Sequence, residues 1–207
     1  MIRFIYKKLK PDIFYQFNWD VDLNTPVEDA CFVVFDTETT GLDIKKDVPI
    51  SIGAFKIEKL RIEMWKSFSR VIKTDRIFEE SIKVHGITPM DLSNAEEPVK
   101  VCREFLEYSK GCVLAGFFLT LDVSMVRKLV VKECKGVFLP YGIDLLDLLE
   151  ERFVGKDLMQ VLKAHGISPL GRLHNALEDA YLTALLFLIY LKRYARKKLK
   201  DLPIKVF

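Results

Sequence analysis

The stretch Cys31–Leu42, CFVVFDTETTGL, constrains this chain most. Five apolar residues, Cys31 to Phe35, come first, and Phe32 through Phe35 favour a strand. A run this short and this apolar fits a strand buried on both faces. Asp36 and Glu38 follow with one residue between them, and then Thr39, Thr40 and Gly41. Side chains two apart on a strand share a face, so two carboxylates stand side by side at the end of a buried strand. Their mutual repulsion and their desolvation both cost free energy. A hard divalent cation removes both penalties, because Mg²⁺ and Mn²⁺ prefer carboxylate oxygen. The plainer reading is a polar strand end facing water, closed by a Thr-Gly turn.

The chain has 207 residues, half of them hydrophobic, which is enough for one domain with a full core. Its net charge of +3 permits nucleic-acid binding without arguing for it. Positive charge gathers in Lys192–Lys200, either as a solvated helix face or as a phosphate-steering patch. Cys31, Cys102, Cys112 and Cys134 lack paired metal-ligand spacing and read as reduced thiols, which points to the cytoplasm. Met1–Lys10 lacks the apolar core of a signal peptide, and the longest apolar run, Ala184–Leu191, is too short to span a membrane.

Three parts are expected: an N-terminal extension over 1–30, a main domain over 31–200 and a tail over 201–207. The extension mixes Lys7, Lys8 and Lys10 with Phe14, Tyr15, Phe17 and Trp19. It reads as helical with its aromatics packed on the domain, although aromatics among bases can also stack on single strands. Pro49–Ile57 and Arg61–Ile72 are rich in strand formers, and Lys59-Leu60 links them tightly into an antiparallel trio with Cys31–Phe35. Cys112–Phe117 and Val137–Ile143 supply the fourth and fifth strands. Helices are expected over Phe78–Val84, Pro98–Tyr108, Thr120–Cys134 with Thr120 as N-cap, Asp144–Phe153, Asp157–His165 and Asn175–Lys198. Hairpins followed by alternating strand and helix give an α/β fold, with a mixed five-stranded sheet flanked by helices. His85-Gly-Ile-Thr-Pro89 and His165-Gly-Ile-Ser-Pro169 look alike, but their flanks differ; glycine just past a helix is a stop signal in both. The tail, Asp201 to Phe207, is apolar enough to dock a partner or to fold back on the core.

Two further acids sit where such a site could use them. Asp122 follows the apolar strand Cys112–Phe117, and Asp179 lies in the first turns of the apolar final helix. An Asp in a first helical turn is also an ordinary dipole partner. His174 precedes Asp179 by five positions and could reach the same place only from the loop before the helix. Four acids from three elements and one histidine suit two-metal phosphodiester hydrolysis, with the histidine taking the proton of the attacking water.

The motifs Asp36-Thr-Glu38-Thr-Thr-Gly41-Leu42, Gly116-Phe-Phe-Leu-Thr-Leu-Asp122 and His174-Asn-Ala-Leu-Glu-Asp179-Ala180 resemble the three exonuclease motifs of the DnaQ-like superfamily. That is the histidine-containing group of 3′-to-5′ exonucleases, which includes the proofreading epsilon subunit of bacterial DNA polymerase III. His85-Gly86-Ile87-Thr88 is similar to a further signature between the first two motifs. The resemblance covers about Cys31 to Tyr194 and implies an RNase H-like fold. It implies two divalent cations, Mg²⁺ or Mn²⁺, held by Asp36, Glu38 and Asp179 with Asp122 assisting. It also implies His174 as general base, with Thr39, Thr40, Gly41, Leu42 and His85 at the substrate. The expected substrate is a 3′ end of single-stranded DNA, or of RNA, which would yield nucleoside 5′-monophosphates. A polymerase or sliding clamp is the expected partner. The second motif departs from the pattern, because many relatives carry His-Asn where this chain has Phe117-Phe118. The rival readings are a ribonuclease trimming short RNAs and a non-catalytic module that tethers a polymerase or clamp.

Overall fold

Strand β1, Cys31–Thr39, is the axis of the molecule. On one side it pairs antiparallel with β2, Pro49–Glu58, and on the other it pairs parallel with β5, Val113–Gly116. The computed structural model describes residues 2–76, 82–83, 85–168 and 175–207, the side chains of Ile13 and Tyr15 excepted. Beyond β2 lie two short strands on the same edge, β3 (Arg61–Ile62) and β4 (Phe68–Val71). Beyond β5 lies β6, Tyr141–Asp144, in parallel, and then β7, Lys205–Val206, antiparallel. The sheet is therefore mixed and open, as expected, with the five anticipated strands present and two short ones added.

Those two additions have separate causes. Arg61–Ile72 is broken by a 3-10 turn at Met64–Lys66 that leaves Trp65 wholly exposed, so one expected strand becomes β3 and β4. The tail folds back as β7, and Phe207 covers Gly142, where a Cβ would come within 2.9 Å of its ring. Lys59 and Leu60 both have positive φ, 50° and 55°, which gives the tight turn between β2 and β3.

Seven helices are described: α1 (Ile2–Leu9), α2 (Pro11–Phe17), α3 (Pro89–Ser93), α4 (Pro98–Tyr108), α5 (Leu119–Lys132), α6 (Leu158–Ala164) and α7 (Ala176–Lys192). The period-2 alternation of β1 sorts its side chains into two cores. Phe32 and Val34 pack with Leu182, Phe187 and Tyr190 of α7. Val33 and Phe35 pack with Phe105 of α4 and Val126 of α5. The helix α7 crosses β1 and β2 because its apolar middle has no polar face to show water.

Several expected helices are corrected. Asp144–Phe153 forms no α-helix but two 3-10 turns, Leu145–Leu148 and Glu151–Phe153. Buried Leu145 and Leu148 are three apart, the spacing that a 3-10 turn eclipses on one side. Helix α5 starts at Leu119, so Thr120 lies inside it; its N-cap is Phe118, in the left-handed region at φ 60°. Helix α7 ends at Lys192 rather than Lys198, because the chain beyond pairs with the segment before β1. There Leu199 and Lys200 donate backbone hydrogen bonds to the Thr25 and Leu23 carbonyls. The expected helix Phe78–Val84 falls almost wholly outside the described residues. Gly86 and Gly166 both take φ 71°, in keeping with the helix-stop role of the repeated phrase.

The cysteines are also corrected. All four are paired, Cys31 with Cys112 and Cys102 with Cys134, so none is a free thiol. Cys31 begins β1 and Cys112 immediately precedes the parallel neighbour β5, with Cα atoms 4.6 Å apart, a neighbourhood that spacing along the chain does not reveal. The N-terminal helices lie against the domain. Phe14 and Phe17 are buried, Phe17 fills the space over Gly136, and Trp19 donates to the Cys112 carbonyl at 2.6 Å. Among the described residues, no helix is long and apolar enough to cross a membrane.

Candidate active site

The alternation that builds the core also aims the acids. Asp36 and Glu38 continue the face of Phe32 and Val34, so they point towards α7, which brings Asp179 in its first turn. One carboxylate oxygen from each of Asp36, Glu38 and Asp179 lies within 4.8 Å of the others. Asn175 starts α7 by accepting from the Leu177 and Glu178 amides at 3.0 and 3.3 Å. The approach of α7 depends on Gly53, which stands opposite Asp36 on β2. A Cβ at Gly53 would sit 2.2 Å from the backbone of Ala176 and Leu177. A residue with any side chain there would push Asp179 away from its partners.

Thr37 points to the other face, and there it meets Asp122. The Thr37 amide and hydroxyl both donate to Asp122 Oδ1, at 3.0 and 2.7 Å. Asp122 is therefore brought beside Asp36 but held behind the strand, outside the tight three-carboxylate group. Among the described residues, the charges that act on Asp36 all belong to acids. Burial pushes its pKa well above the carboxylate range, and Asp122, Glu38 and Asp179 raise it further. Burial, then the charge of Asp179, raises Glu38 to about 7. Burial raises Asp122 to about 7 as well, against the lowering effect of its two bonds from Thr37. An all-oxygen set that cannot comfortably ionise by itself is what a hard divalent cation fits.

The other expected site residues divide. Thr40 Oγ1 bonds Asp47 Oδ1 at 2.9 Å, and Thr39 Oγ1 bonds the Gly41 carbonyl at 2.6 Å, so the turn after β1 is fixed from within. At Gly41 a Cβ would come 2.5 Å from the Asp47 carboxylate, which would have to shift to admit it. Leu42 projects outward, 79% exposed, available to a ligand rather than to the core. His85 is buried, and its Nδ1 accepts from the Ile87 amide at 3.0 Å, which shapes the turn before α3. His174 lies outside the described residues. Phe117 is packed against the core and Phe118 is half-exposed, their rings edge-on at 5.3 Å.

Sequence reading missed Asp144 at the end of β6. Its Oδ1 accepts from the Phe118 amide at 3.2 Å and from Leu146 at 3.1 Å, which ties down the start of the helix carrying Asp122. The signal was present, since Asp144 closes a strand with buried neighbours, as Asp36 follows the apolar run of β1. It missed Gly53 too, because nothing local marks a glycine on which a distant helix rests.

Comparison with known proteins agrees with this geometry. The family profile described as Exonuclease (RNase_T) matches residues 33–187. The chain belongs to this exonuclease family. It is 33% identical over 178 residues to the PolC-type DNA polymerase III of Thermotoga petrophila, covering 84% of this chain but 13% of that protein. It is 31% identical over 165 residues to the DNA polymerase III subunit epsilon of Aquifex aeolicus, covering 77% of this chain and 80% of that one. Among solved structures, Escherichia coli exonuclease I in complex with a dA16 oligonucleotide superposes with a TM-score of 0.66 at 17% identity, covering 84% of this chain and 42% of that one. Pop2p of Schizosaccharomyces pombe, in its Mg²⁺- and Mn²⁺-bound form, gives 0.65 at 17% identity, covering 79% and 83%. At these identities the likeness speaks for the fold alone, and that fold is the RNase H-like one of the exonucleases.

Proposed function

We propose that this chain is a metal-dependent 3′-to-5′ exonuclease that removes nucleoside 5′-monophosphates from single-stranded DNA. The observation that carries the reading is the meeting of Asp36, Glu38 and Asp179 within 4.8 Å, with Asp122 held by Thr37 and near enough for its charge to act on Asp36. Asp36, Glu38 and Asp179 would hold divalent cations, Mg²⁺ or Mn²⁺, with Asp122 assisting. Such cations neutralise charge on the scissile phosphate and favour the ionised form of an attacking water. Each protein group then has one task. Asp36 and Glu38, whose pKa values burial raises, would bind the cations as carboxylates, any proton they carry passing to solvent. The doubly hydrogen-bonded Asp122 keeps one orientation throughout. Leu42 rests against the terminal base and sets which phosphodiester faces the acids. His174, before α7, takes the proton of the attacking water. The terminal phosphodiester must enter a recessed acidic site, so a single-stranded end is the substrate.

The names of the relatives, a PolC-type DNA polymerase III and a DNA polymerase III subunit epsilon, support association with a DNA polymerase. The test is digestion of matched DNA oligonucleotides labelled at the 3′ or the 5′ end, with Mn²⁺ or EDTA. Stepwise loss from the 3′ end that EDTA abolishes is expected, and loss from the 5′ end or persistence in EDTA would overturn the reading. An RNA oligonucleotide of the same sequence, run alongside, reports whether the site reads the 2′-OH.

A further inference from the structure

A second surface starts where the acid pocket stops. The chain leaves Glu38, turns through Leu42, and forms one wall of a cleft of about 730 Å³ at Ile44–Lys46. The segment from Ile72 to Arg76 forms another wall, and α5 forms the third. Helix α5 offers Ser124, Arg127, Lys128, Val131 and Lys132, a single stripe at helical spacing, opposite the face that buries Val123, Val126 and Val130. Asp122 is on this same helix, one turn and a half before Lys128.

The charge of the cleft is out of proportion to that of the chain. Seven Lys or Arg line it against two acids, Asp75 and Glu133, for a local net of +5, whereas the whole protein carries +3. The remaining residues of the chain therefore sum to −2, the acid site included, so the cleft carries more positive charge than the chain as a whole. Lys45, Lys46, Lys73 and Arg76 are exposed. The ion pairs that some of them make, Lys46–Asp43 at 3.8 Å, Lys73–Glu97 at 2.8 Å and Lys132–Glu133 at 3.3 Å, are on the surface and cheap to exchange. The floor is apolar, with Val48, Pro49, Ile72 and Leu129. The walls are braced against each other: Lys128 Nζ donates to the Asp47 carbonyl, and Arg76 donates to the Lys46 carbonyl at 3.2 Å. Asp47 in turn holds Thr40, at the rim of the acid pocket.

We infer that this cleft carries the phosphate backbone of the substrate strand behind its 3′ end, so that single-stranded nucleic acid is held at two places, the acid pocket and the basic cleft. The inference rests on the exonuclease reading for the identity of the strand. The stripe from Ser124 to Lys132 spans about 12 Å, room for about three phosphates. A basic groove with an apolar floor suits backbone tracking without sequence preference.

The test compares wild type with the triple variant Lys45→Glu, Lys46→Glu, Lys132→Glu, none of which belongs to the acid site. Binding of fluorescein-labelled dT3 and dT12 is measured in EDTA across a salt series. The variant should bind dT12 at least about 10-fold more weakly, and its log–log salt slope should be shallower by about 2, since a single strand gives about 0.7 per phosphate contact. Binding of dT3 should be unchanged. A control variant, Lys192→Glu, Arg196→Glu, Lys200→Glu, alters the other basic cluster and should behave as wild type. Unchanged dT12 binding in the cleft variant, or an equal loss in the control, would overturn the inference. Should the reversals unfold the protein, the milder Lys→Gln set reads the same slope. Cleavage of thymidine 5′-monophosphate p-nitrophenyl ester with Mn²⁺, a substrate too short to reach the cleft, should be equal in wild type and cleft variant. Absence of that cleavage in wild type would count against the exonuclease reading, and the EDTA binding comparison would still decide the cleft.

Discussion

The acid pocket and the basic cleft are neighbours built in opposite ways. Asp36, Glu38 and Asp122 stand in a buried setting near the end of the sheet and repel one another, and burial raises their pKa values above the ordinary carboxylate range. Lys45, Lys46 and Lys132 stand in water on the edges of a loop and a helix. Burial makes each acid matter individually, since an unpaired charge in low dielectric acts at full strength. Exposure makes the bases matter only as a set, because solvent and salt screen each one. Substitutions in the two regions should therefore differ in size and in kind.

The largest effect is expected from Asp36→Ala. It should lower nucleotide release by at least about 10²–10³-fold while the circular dichroism spectrum stays that of the wild type. The same change removes a source of repulsion, so the metal-free variant should melt no lower than metal-free wild type. Saturating Mn²⁺ should raise the wild-type melting temperature, by the equivalent of about 2.7 kcal/mol at a hundredfold excess over Kd, and should barely move the variant. Equal rises in both proteins would break the comparison, because the pocket would then bind ions no more specifically than the cleft.

Next in size is the strand that carries the pocket. Cys31 and Cys112 close a loop across 81 residues and pin the end of β1 opposite the acids. Removing a cross-link of that kind costs about 2–4 kcal/mol. Dithiothreitol should lower the melting temperature and should reduce metal-dependent activity near that temperature. An identical melt with and without reductant would show the cysteines to be thiols in solution. Gly53→Ala should follow, at about 1–3 kcal/mol of overpacking, because the new Cβ meets the backbone at Ala176. It should also displace Asp179, so activity should fall more than stability does. Normal activity in this variant would mean that α7 rests on the strand without setting the pocket.

How much of this the sequence shows depends on whether the partners lie close along the chain. Asp36 and Glu38 are two residues apart, so a strand puts them together whatever the rest of the fold does. The two core faces of β1 follow from the same alternation, as does the aim of the acids towards α7. Asp122 and Asp179 are marked as acids on apolar helices, but their different places show only in three dimensions, Asp179 in the group and Asp122 behind Thr37. Gly53 and Asp144 act through elements far away in the chain and carry little local signal. The cleft is the extreme case. Its walls come from three segments, none with more than two adjacent bases, whereas the conspicuous run Lys192–Lys200 is spread over a helix end and a turn, with Arg193 engaged by Glu150. Tertiary pairing also decides what local preference leaves open, as when the tail, which the sequence allows to dock a partner or to fold back, joins the sheet at β6.

The effect that separates the two regions most cleanly is the pH dependence of stability without metal. In the unfolded chain Glu38 and Asp122 ionise near 4, whereas in the folded protein each keeps its proton to about 7. Between those limits the unfolded state binds fewer protons than the folded one, so stability falls as pH rises and levels off above about 7. Cations in the pocket favour the ionised carboxylates and draw the folded pKa values back down, which should flatten the decline. Melting temperatures at pH 4.5, 6 and 7.5, in EDTA and in Mn²⁺, test both halves. The cleft variant, whose altered groups are exposed lysines, should follow the wild-type pH curve while its binding of dT12 depends less steeply on salt. If stability in EDTA rose over this range instead, the acids would be ionised and paired in the folded protein, and the distinction between a strained pocket and a solvated cleft would fail at its buried end.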